Sequence, residues 1–350
     1  MTTRDWLGRE TKRVALQSSA PRRVAMQSSA PRRVAMQSSA FLSRRQQFGL
    51  VPSTNDIVRT WLADGTAEVC LAVADEQTAG RGRSGRVWVA PSGAALLLSL
   101  GFRPSYLTPD RLWRLSAVVA LAMIDAAEDL AGLPAGMLKL KWPNDIVVEV
   151  PAGEAPAGEA PAGEASGGAP RKVAGVLGES GGVGTAAPVA VIGIGINVDW
   201  PRDQFPAELA DSMTSLREAS RGRPVSAEGL LEAFLSHLEP RVVGLRDGHF
   251  DVAGWHDRQI TTGRVVRIDM PDGSSQVVKA VGVDGATGAL LVADVEETAD
   301  GAERELLVGE VVHVRLNADP RNPAGPAPAG PAPAGEAPAG EAPAGDGVTK

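Results

Sequence analysis

The sequence predicts one packed, enzyme-sized domain of mixed helices and strands, flanked and interrupted by segments of low complexity. Three observations support this: helices with start and stop signals, apolar runs of strand length between them, and repeats too poor in apolar residues to build a core. The chain has 350 residues, and its 40 Gly and 26 Pro indicate that the packed part is shorter than the whole.

Two kinds of repeat mark the low-complexity segments. A ten-residue repeat, "RVALQSSAPR" and its variants, fills most of residues 1–45. "PAGEA" repeats run from Pro151 to Ala165 within a low-complexity insert over 151–170, and a related repeat runs from Pro323 to Gly345 within a tail over 319–350. The basic, Ser-rich first repeat is compatible with a transit peptide or a nucleic-acid-binding arm, but we expect a disordered tail grown by duplication. Proline and glycine predict extended, solvated chain in the other two segments.

Composition excludes several classes of protein. The single cysteine, Cys70, excludes an intrachain disulfide and a cysteine-based zinc site, and it lies in an apolar run, "EVCLAVA", typical of a core. The sequence contains neither an apolar run long enough to span a membrane nor a signal-peptide pattern. We therefore expect a cytoplasmic protein without a membrane partner. Its formal net charge is −7.

Two segments carry helix signals. "STNDIVRTWLADG" predicts a helix of about three turns, with Ser53 as its N-cap and Gly65 as its stop. The long segment "TPDRLWRLSAVVALAMIDAAEDLAG" predicts a core-facing helix that is capped by Thr108, has Pro109 at its first position and ends at Gly132. "VCLAVA" and "AALLLSLGF" predict buried strands.

The segment "LKLKWPNDIVVE" predicts a strand on which Lys139 and Lys141 share one face. From the pattern alone, this face could simply be solvated. Lysine is scarce among the 35 basic residues, however, so its use here also suggests a need for a compact point charge. In the later strand "VIGIGINV", Gly193, Gly195 and Asn197 fall on one face, which leaves room either for a ligand or for close helix packing.

The stretch "AGRGRSGRVW" concentrates glycine and arginine at residues 79–88. Flexible glycines let backbone N–H groups turn toward an anion, and arginine adds forked donors that suit phosphate. It matches neither the P-loop nor the dinucleotide fingerprint. A phosphate-binding loop, a nucleic-acid contact and a plain exposed loop all remain open on the pattern alone.

The ordered series "STND", "EQTAGRGRSGRVW", "GAALLLSL", "LKWPNDI", "KVAGVLGE" and "VIGIGINV" resembles the catalytic core of biotin protein ligases across residues 48–200, and more weakly to 316. The resemblance implies an α+β fold of the class II aminoacyl-tRNA synthetase-like, biotin-lipoate ligase type, with a mixed sheet and helices. It also implies a catalytic domain over 46–258 and a small SH3-like β-barrel over 259–318, where four short segments read as strands.

The resemblance further implies an ATP-dependent ligase that forms biotinyl-5'-AMP and passes biotin to a lysine of a biotin carboxyl carrier domain, as in acetyl-CoA carboxylase, with Mg2+ sharing the phosphate charge. Lys141 and Arg83 are the expected catalytic residues. The residues expected to bind biotin are Ser53, Thr54, Asn55, Gln77, Arg81, Gly82, Arg83 and Lys141. Those expected to bind ATP or the adenylate are Gly80, Arg86, Trp88, Asn144, Lys172 and Asn197.

Two other functions compete with this one. A lipoate or octanoate ligase would share the fold, although the residues of the glycine-arginine and Lys-Trp-Pro-Asn-Asp motifs argue against it. A nucleic-acid-binding module using the basic tail belongs to a different class, and its binding would weaken steeply with salt. Residues 1–45 lack the apolar pattern of the DNA-binding domain found in some relatives, so we expect a short form that does not bind DNA, and leave open whether it is a monomer or a homodimer.

Overall fold

The computed structural model describes residues 41–149, 170–270, 273–295, 303–307 and 313–316. Its main feature is a seven-stranded sheet in the order β1-β2-β3-β7-β6-β5-β4. The outer pair β1 and β2 is parallel, and every other neighbouring pair is antiparallel. The strands are β1 (Arg44–Val51), β2 (Cys70–Gln77), β3 (Ala95–Phe102), β4 (Leu138–Lys141), β5 (Asp145–Glu149), β6 (Pro170–Gly181) and β7 (Val189–Asn197).

Helices cover the two faces of this sheet unequally. The helices are α1 (Thr54–Ala63), α2 (Trp113–Ala131), α3 (Leu216–Ala219), α4 (Ala227–Arg246) and α5 (Val252–Asp257). The leucines and isoleucines of β3 and β7 pack with α2 and α4 in the main core, whereas α1 lies on the opposite face with Cys70, Ala72 and Val191. Cys70 is fully buried, as expected, and burial raises the pKa of its thiol.

The predicted elements occur with two corrections. The disordered tail expected over 1–45 reaches too far, since Phe41 is buried in the main core and β1 begins at Arg44. The helix expected to begin at Pro109 opens with a separate 3-10 turn, Pro109–Arg111, and the α-helix proper begins at Trp113. Thr108 caps that turn by position without a side-chain bond. The helix ends as predicted at Gly132, which adopts φ +58°, a left-handed conformation that favours glycine.

On the face of the sheet that carries α1, two neighbouring positions are glycines and so have no side chain. Gly195 of β7 pairs with Gly175 of β6, and Gly175 pairs in turn with Asp145 of β5, which pairs with Lys141 of β4. Because residues in register on adjacent strands project to the same side, these four positions form one row. We call this side of the sheet the glycine face.

A second, antiparallel sheet follows the first in the chain. Its order is β11-β10-β9-β8-β12. Its strands are β8 (Val265–Asp269), β9 (Ser275–Val283), β10 (Leu290–Asp294), β11 (Arg304–Leu306) and β12 (His313–Leu316). The inward side chains of β8, β9 and β10, such as Val266, Val278 and Leu290, belong to the main core cluster.

An ion cluster joins α2 to the start of β4. The buried Glu128 carboxylate accepts hydrogen bonds from the Gly136 and Leu138 backbones at 3.1 and 2.8 Å and from both Nη atoms of Arg258 at 2.6 and 2.9 Å. Arg258 also contacts Asp125 at 3.2 Å. In the part of the chain that the structure describes, no helix is both long and apolar enough to cross a membrane.

Candidate functional site

Four predicted site residues meet at the start of α1. Ser53, Thr54 and Asn55 are buried, and the Oε1 atom of Gln77 accepts bonds from the Thr54 backbone at 2.7 Å and from its hydroxyl at 3.1 Å. Ser53 occupies the N-cap position as predicted, but its hydroxyl makes no capping bond. The group is polar and carries no formal charge.

Ser99 of β3 joins this group. Its Oγ atom lies 2.7 Å from Thr54 Oγ1 and 2.6 Å from Asn55 Oδ1. The buried Asn55 Nδ2 atom has no hydrogen-bond partner among the described residues. Gly193 makes room for this amide, since a Cβ at that position would stand 2.3 Å from Asn55 Oδ1. Asn55 therefore presents an unused N–H donor over the glycine face.

Trp88 and Lys172 lie together over the row of glycines. A Cβ at Gly195 would stand 2.6 Å from Trp88 Cε2, and one at Gly175 would stand 3.1 Å from Lys172 Nζ. The Lys172 ammonium is 5.5 Å from the centroid of the Trp88 ring and 2.6 Å from an Asp145 oxygen. The absence of side chains on the two strands is what allows an indole to approach the backbone here.

The backbone of the glycine-arginine loop is held by its glycines. The Trp88 N–H donates to the Gly80 carbonyl at 3.0 Å, and the Gly82 N–H donates to the Arg86 carbonyl at 2.7 Å. A Cβ at Gly80 would stand 2.3 Å from the Trp88 carbonyl oxygen, so only glycine fits there without a shift. The Arg86 side chain is exposed.

Arg81 ties this loop to α1 and β6. Its guanidinium donates to both carboxylate oxygens of Asp56 at 2.9 Å and reaches Glu179 at 3.4 Å. The hydrogen bond from Arg81 holds the pKa of Asp56 below its usual range, and the same bond raises the pKa of Arg81. Arg59 contacts the same two carboxylates.

A cavity of about 530 Å³ is lined by residues 140–146 around the β4–β5 turn, by residues 176–180 of β6 and by the first turns of α2. Its charged and amide lining residues are Arg81, Arg83, Lys141, Asn144, Asp145 and Glu179. The backbone of Gly82 also lines it. Burial lowers the pKa of Arg83, partly offset by the Asp145 charge. Asn144 donates to the Val176 carbonyl at 3.0 Å, so its side chain braces the turn.

Most of the predicted residues thus fall into three groups rather than one, of which Trp88 and Lys172 over the glycines are the smallest. Arg81, Gly82, Arg83, Lys141 and Asn144 line the cavity, whereas the uncharged group at the start of α1 does not. The glycine face lies between them. Asn197 is buried at the end of β7 and donates to the Thr214 carbonyl at 2.9 Å, so the structure gives it a structural bond and no place in the cavity wall.

Several contact partners were not predicted. Ser99 is the one polar residue in an apolar strand, and that isolation was an available signal. Asp145 adjoins the predicted Asn144, but its pairing with Lys172 depends on strand register. Asp56 and Glu179 are far apart in the chain, so nothing in the local sequence predicts that both contact Arg81. Among the described residues there is no cluster of three or more His, Cys, Asp or Glu side chains that would hold a metal by itself.

Comparison with known proteins supplies independent information. Residues 48–197 match the model of the "Biotin/lipoate A/B protein ligase family". A biotin--[acetyl-CoA-carboxylase] ligase of Mycobacterium tuberculosis is 31% identical over 268 residues, which cover 75% of this chain and 86% of that protein. The bifunctional ligase/repressor BirA of Bacillus spizizenii is 30% identical, over 73% of this chain and 70% of that one.

A solved structure agrees with the sequence matches. The biotin protein ligase from Aquifex aeolicus in complex with biotin and ATP superimposes with a TM-score of 0.59 at 25% identity. The superposition covers 78% of this chain and 99% of that one.

Proposed function

The chain belongs to the biotin protein ligases, a branch of the biotin/lipoate A/B protein ligase family, and on this basis we propose that it joins biotin to a protein lysine in two steps. In the first, a biotin carboxylate oxygen attacks the α-phosphorus of ATP and pyrophosphate leaves. In the second, a carrier lysine amine attacks the acyl carbon of biotinyl-5'-AMP, an amide forms and AMP leaves. The acceptor is the biotin carboxyl carrier domain of acetyl-CoA carboxylase or a related carboxylase.

The observation that carries this proposal is the chemical difference between the two ends of the glycine face. Biotin has an uncharged ureido ring at one end and a carboxylate at the other. The group at the start of α1 offers neutral donors and acceptors, including the unused Asn55 Nδ2 donor. The cavity at the other end is lined by Arg83 and Lys141. Between them, Gly175 and Gly195 have no side chains of their own, and Trp88 and Lys172 lie over them.

We assign the ureido ring to Ser53, Thr54, Asn55 and Gln77, since a ureido group needs hydrogen bonds rather than charge. Lys141 and Arg83 act at the carboxylate and the α-phosphate as the catalytic residues, and Arg81 and Gly82 complete the loop above biotin. The residues assigned to ATP or the adenylate are Gly80, Arg86, Trp88, Asn144, Lys172 and Asn197.

Electrostatics explains why a cation is required at this point. The carboxylate and the triphosphate repel each other, and the transferring phosphoryl group keeps its negative charge in the transition state. The Lys141 ammonium neutralises that charge where the two anions meet and then stabilises the phosphate of the adenylate. Mg2+ bound to ATP would add charge neutralisation. Of the cavity carboxylates, Asp145 is paired with Lys172 and Glu179 with Arg59 and Arg81, so a magnesium ion would be held mainly by the phosphates of ATP and by water.

The finer features of the fold and partners belong to the same proposal. We propose that the second sheet is an SH3-like barrel over 259–318 and that the catalytic domain runs to residue 258. The repeats expected at 1–45, 151–170 and 319–350 lie outside the described residues, apart from 41–45, which belong to the fold, and Pro170, which begins β6. The antiparallel order of five short strands supports the barrel. We further propose a cytoplasmic enzyme that does not bind DNA, and leave a homodimer as an outcome of solution measurements.

Incubation with biotin and α-labelled ATP tests the first step directly. We expect labelled biotinyl-5'-AMP and an equal amount of pyrophosphate, followed by loss of the adenylate when an apo carrier domain is added. Lipoate in place of biotin is the specificity control. Adenylate formation with lipoate at the same or a higher rate would assign the chain to the other branch of its family, and no adenylate with either acid would refute the proposal.

A further inference from the structure

The outer edge of β4, the strand that carries Lys141, is covered by the segment that leads into the second sheet. The Leu140 N–H donates to the Arg258 carbonyl at 2.7 Å, and the Ile260 N–H donates to the Leu140 carbonyl at 2.9 Å. Gln259 is thereby in a parallel bridge with Leu140. The strand next to the cavity is therefore held on one side by β5 and on the other by residues 258–260.

The hold extends to Trp142, the residue directly after Lys141. Its backbone N–H donates to the hydroxyl of Thr261 at 3.1 Å, and its indole Nε1–H donates to the Gly288 carbonyl at 3.0 Å. Trp142 and Thr261 are both buried, with 3% and 0% of their surface exposed. Since water does not compete for either bond, both fix the position of the Trp142 backbone and ring.

The turn that provides the Gly288 carbonyl is itself held by several hydrogen bonds. It joins β9 to β10 over residues 284–288, and we call it the β9–β10 turn. The Asp284 carboxylate accepts bonds from the Ala286 and Thr287 backbones at 2.8 and 2.6 Å. Two side chains at the start of α2 bind the turn: Trp113 Nε1 donates to the Ala286 carbonyl at 3.2 Å, and Arg114 donates to the Gly285 carbonyl at 3.1 Å.

We propose that Thr261 and the β9–β10 turn position Lys141 for adenylation, acting through Trp142. The inference rests on the role proposed above for Lys141. Lys141 is the last residue of β4, so its backbone is set by Leu140 on one side and Trp142 on the other. A shift of Trp142 moves the ammonium relative to the reacting phosphate, and displacements of about 1 Å at such a point cost up to a hundredfold in rate.

Trp142 and Arg114 offer a matched pair of variants. Trp142→Phe and Arg114→Met each remove a side-chain N–H bond to the same turn, but only Trp142 adjoins Lys141, and Arg114 does not line the cavity. We expect both to lower the melting temperature. Trp142→Phe should lower kcat for adenylation about tenfold with the KM for biotin within about twofold, whereas Arg114→Met should leave kcat within about twofold of the parent. Equal losses of kcat would mean that these bonds only dock the second sheet, and would overturn the proposal.

Thr261 gives a second, independent measurement. Thr261→Val keeps the shape and removes the acceptor for the Trp142 N–H, and we expect a similar tenfold loss of kcat that Thr261→Ser restores. Each change is also made in a Lys141→Ala background, where a positioning residue has nothing left to position and should cause no further loss. Additive losses in that background would overturn the proposal. If Lys141→Ala itself keeps full activity, the failure lies instead with the role proposed for Lys141. Should Thr261→Val not fold, the comparison of Trp142→Phe with Arg114→Met decides alone.

Discussion

Lys141 and Lys139 share a strand face but have different surroundings. Lys141 is in register with Asp145 in the row that contains Gly175 and Gly195, whereas Lys139 is in register with Val147 and its Nζ atom contacts the Asp257 carbonyl at 3.4 Å. The sequence pattern alone left both lysines as candidates. Register across the sheet, which depends on contacts distant in the chain, separates them.

We expect Lys141→Ala to fold normally and to slow adenylation by about a hundredfold or more, the scale for loss of one electrostatic donor at a transition state. Lys141→Arg should rescue poorly, because a planar guanidinium does not place its charge at the same point. The measurement is single-turnover formation of biotinyl-5'-AMP. Lys139→Ala is the control, and equal damage from the two alanine variants would remove the specific assignment.

Gly195 offers a test of the glycine face. In Gly195→Ala the new Cβ would stand 2.6 Å from Trp88 Cε2, so the half-exposed indole must move. Small-to-large changes in packed sites cost about 1–3 kcal/mol, and we expect ATP to bind about tenfold more weakly by calorimetry. Gly282→Ala, where nothing lies within 4 Å of the added Cβ, should bind ATP like the parent. Unchanged affinity in Gly195→Ala would show that Trp88 is not part of the nucleotide site.

At the scale of elements, helices with clear end signals and strands of continuous apolar residues were predictable. The start of α1, the stop at Gly132 and strands β2, β3, β6 and β7 all follow from local sequence. β1 was not predicted because its sequence, RRQQFGLV, is largely polar and mostly exposed. For α4 no helix was expected, and Pro240 lies inside it. Its buried face against α2 outweighs the unfavourable proline. A local signal was available, because Ser226 caps the helix and its buried apolar residues recur at helical spacing, as Leu230, Phe234 and Leu238 do.

The Glu128 carboxylate on α2 binds both the backbone at the start of β4 and the guanidinium of Arg258, which follows α5. Glu128→Gln leaves Arg258 with less compensation in a buried site, and breaking such a pair costs about 3–5 kcal/mol. We expect the melting temperature to fall by roughly 6–20 °C, on a scale of about 2–4 °C per kcal/mol for a domain of this size. Glu232→Gln is the matched control, since it removes a carboxylate paired with Arg45 on the surface. That change should stay within about 0.5 kcal/mol, and equal shifts from both would contradict a structural role for the Glu128 cluster.

At the scale of the whole molecule, the site is assembled from distant parts of the chain. The resemblance of short motifs predicted which residues matter, whereas their partners Ser99, Asp56 and Glu179 required the fold. The bonds between the β4 region and residues 258–261 also could not be predicted without the fold, because the two segments are about 120 residues apart in sequence.

The N-terminal limit of the packed part can be tested by truncation. Phe41 is buried in the main core, and Ser43 donates from its backbone to the Val69 carbonyl at 2.8 Å. We expect removal of residues 1–40 to leave adenylation and the melting temperature nearly unchanged. Removal of residues 1–51 also deletes β1 and should lower the melting temperature by many degrees. A large loss of activity from the shorter deletion would assign residues 1–40 a part in substrate binding.

The position of Trp88 over the glycine face makes it an intrinsic optical reporter. Trp61, Trp142, Trp200 and Trp255 are buried, while Trp88 lies half-exposed over the glycines with the Lys172 ammonium near its ring. A molecule that binds on this face changes the polarity around that indole and its distance from the ammonium. Emission from Trp88 should therefore shift as the site fills. Comparison with Trp88→Phe isolates that signal, so occupancy can be followed in real time without a label.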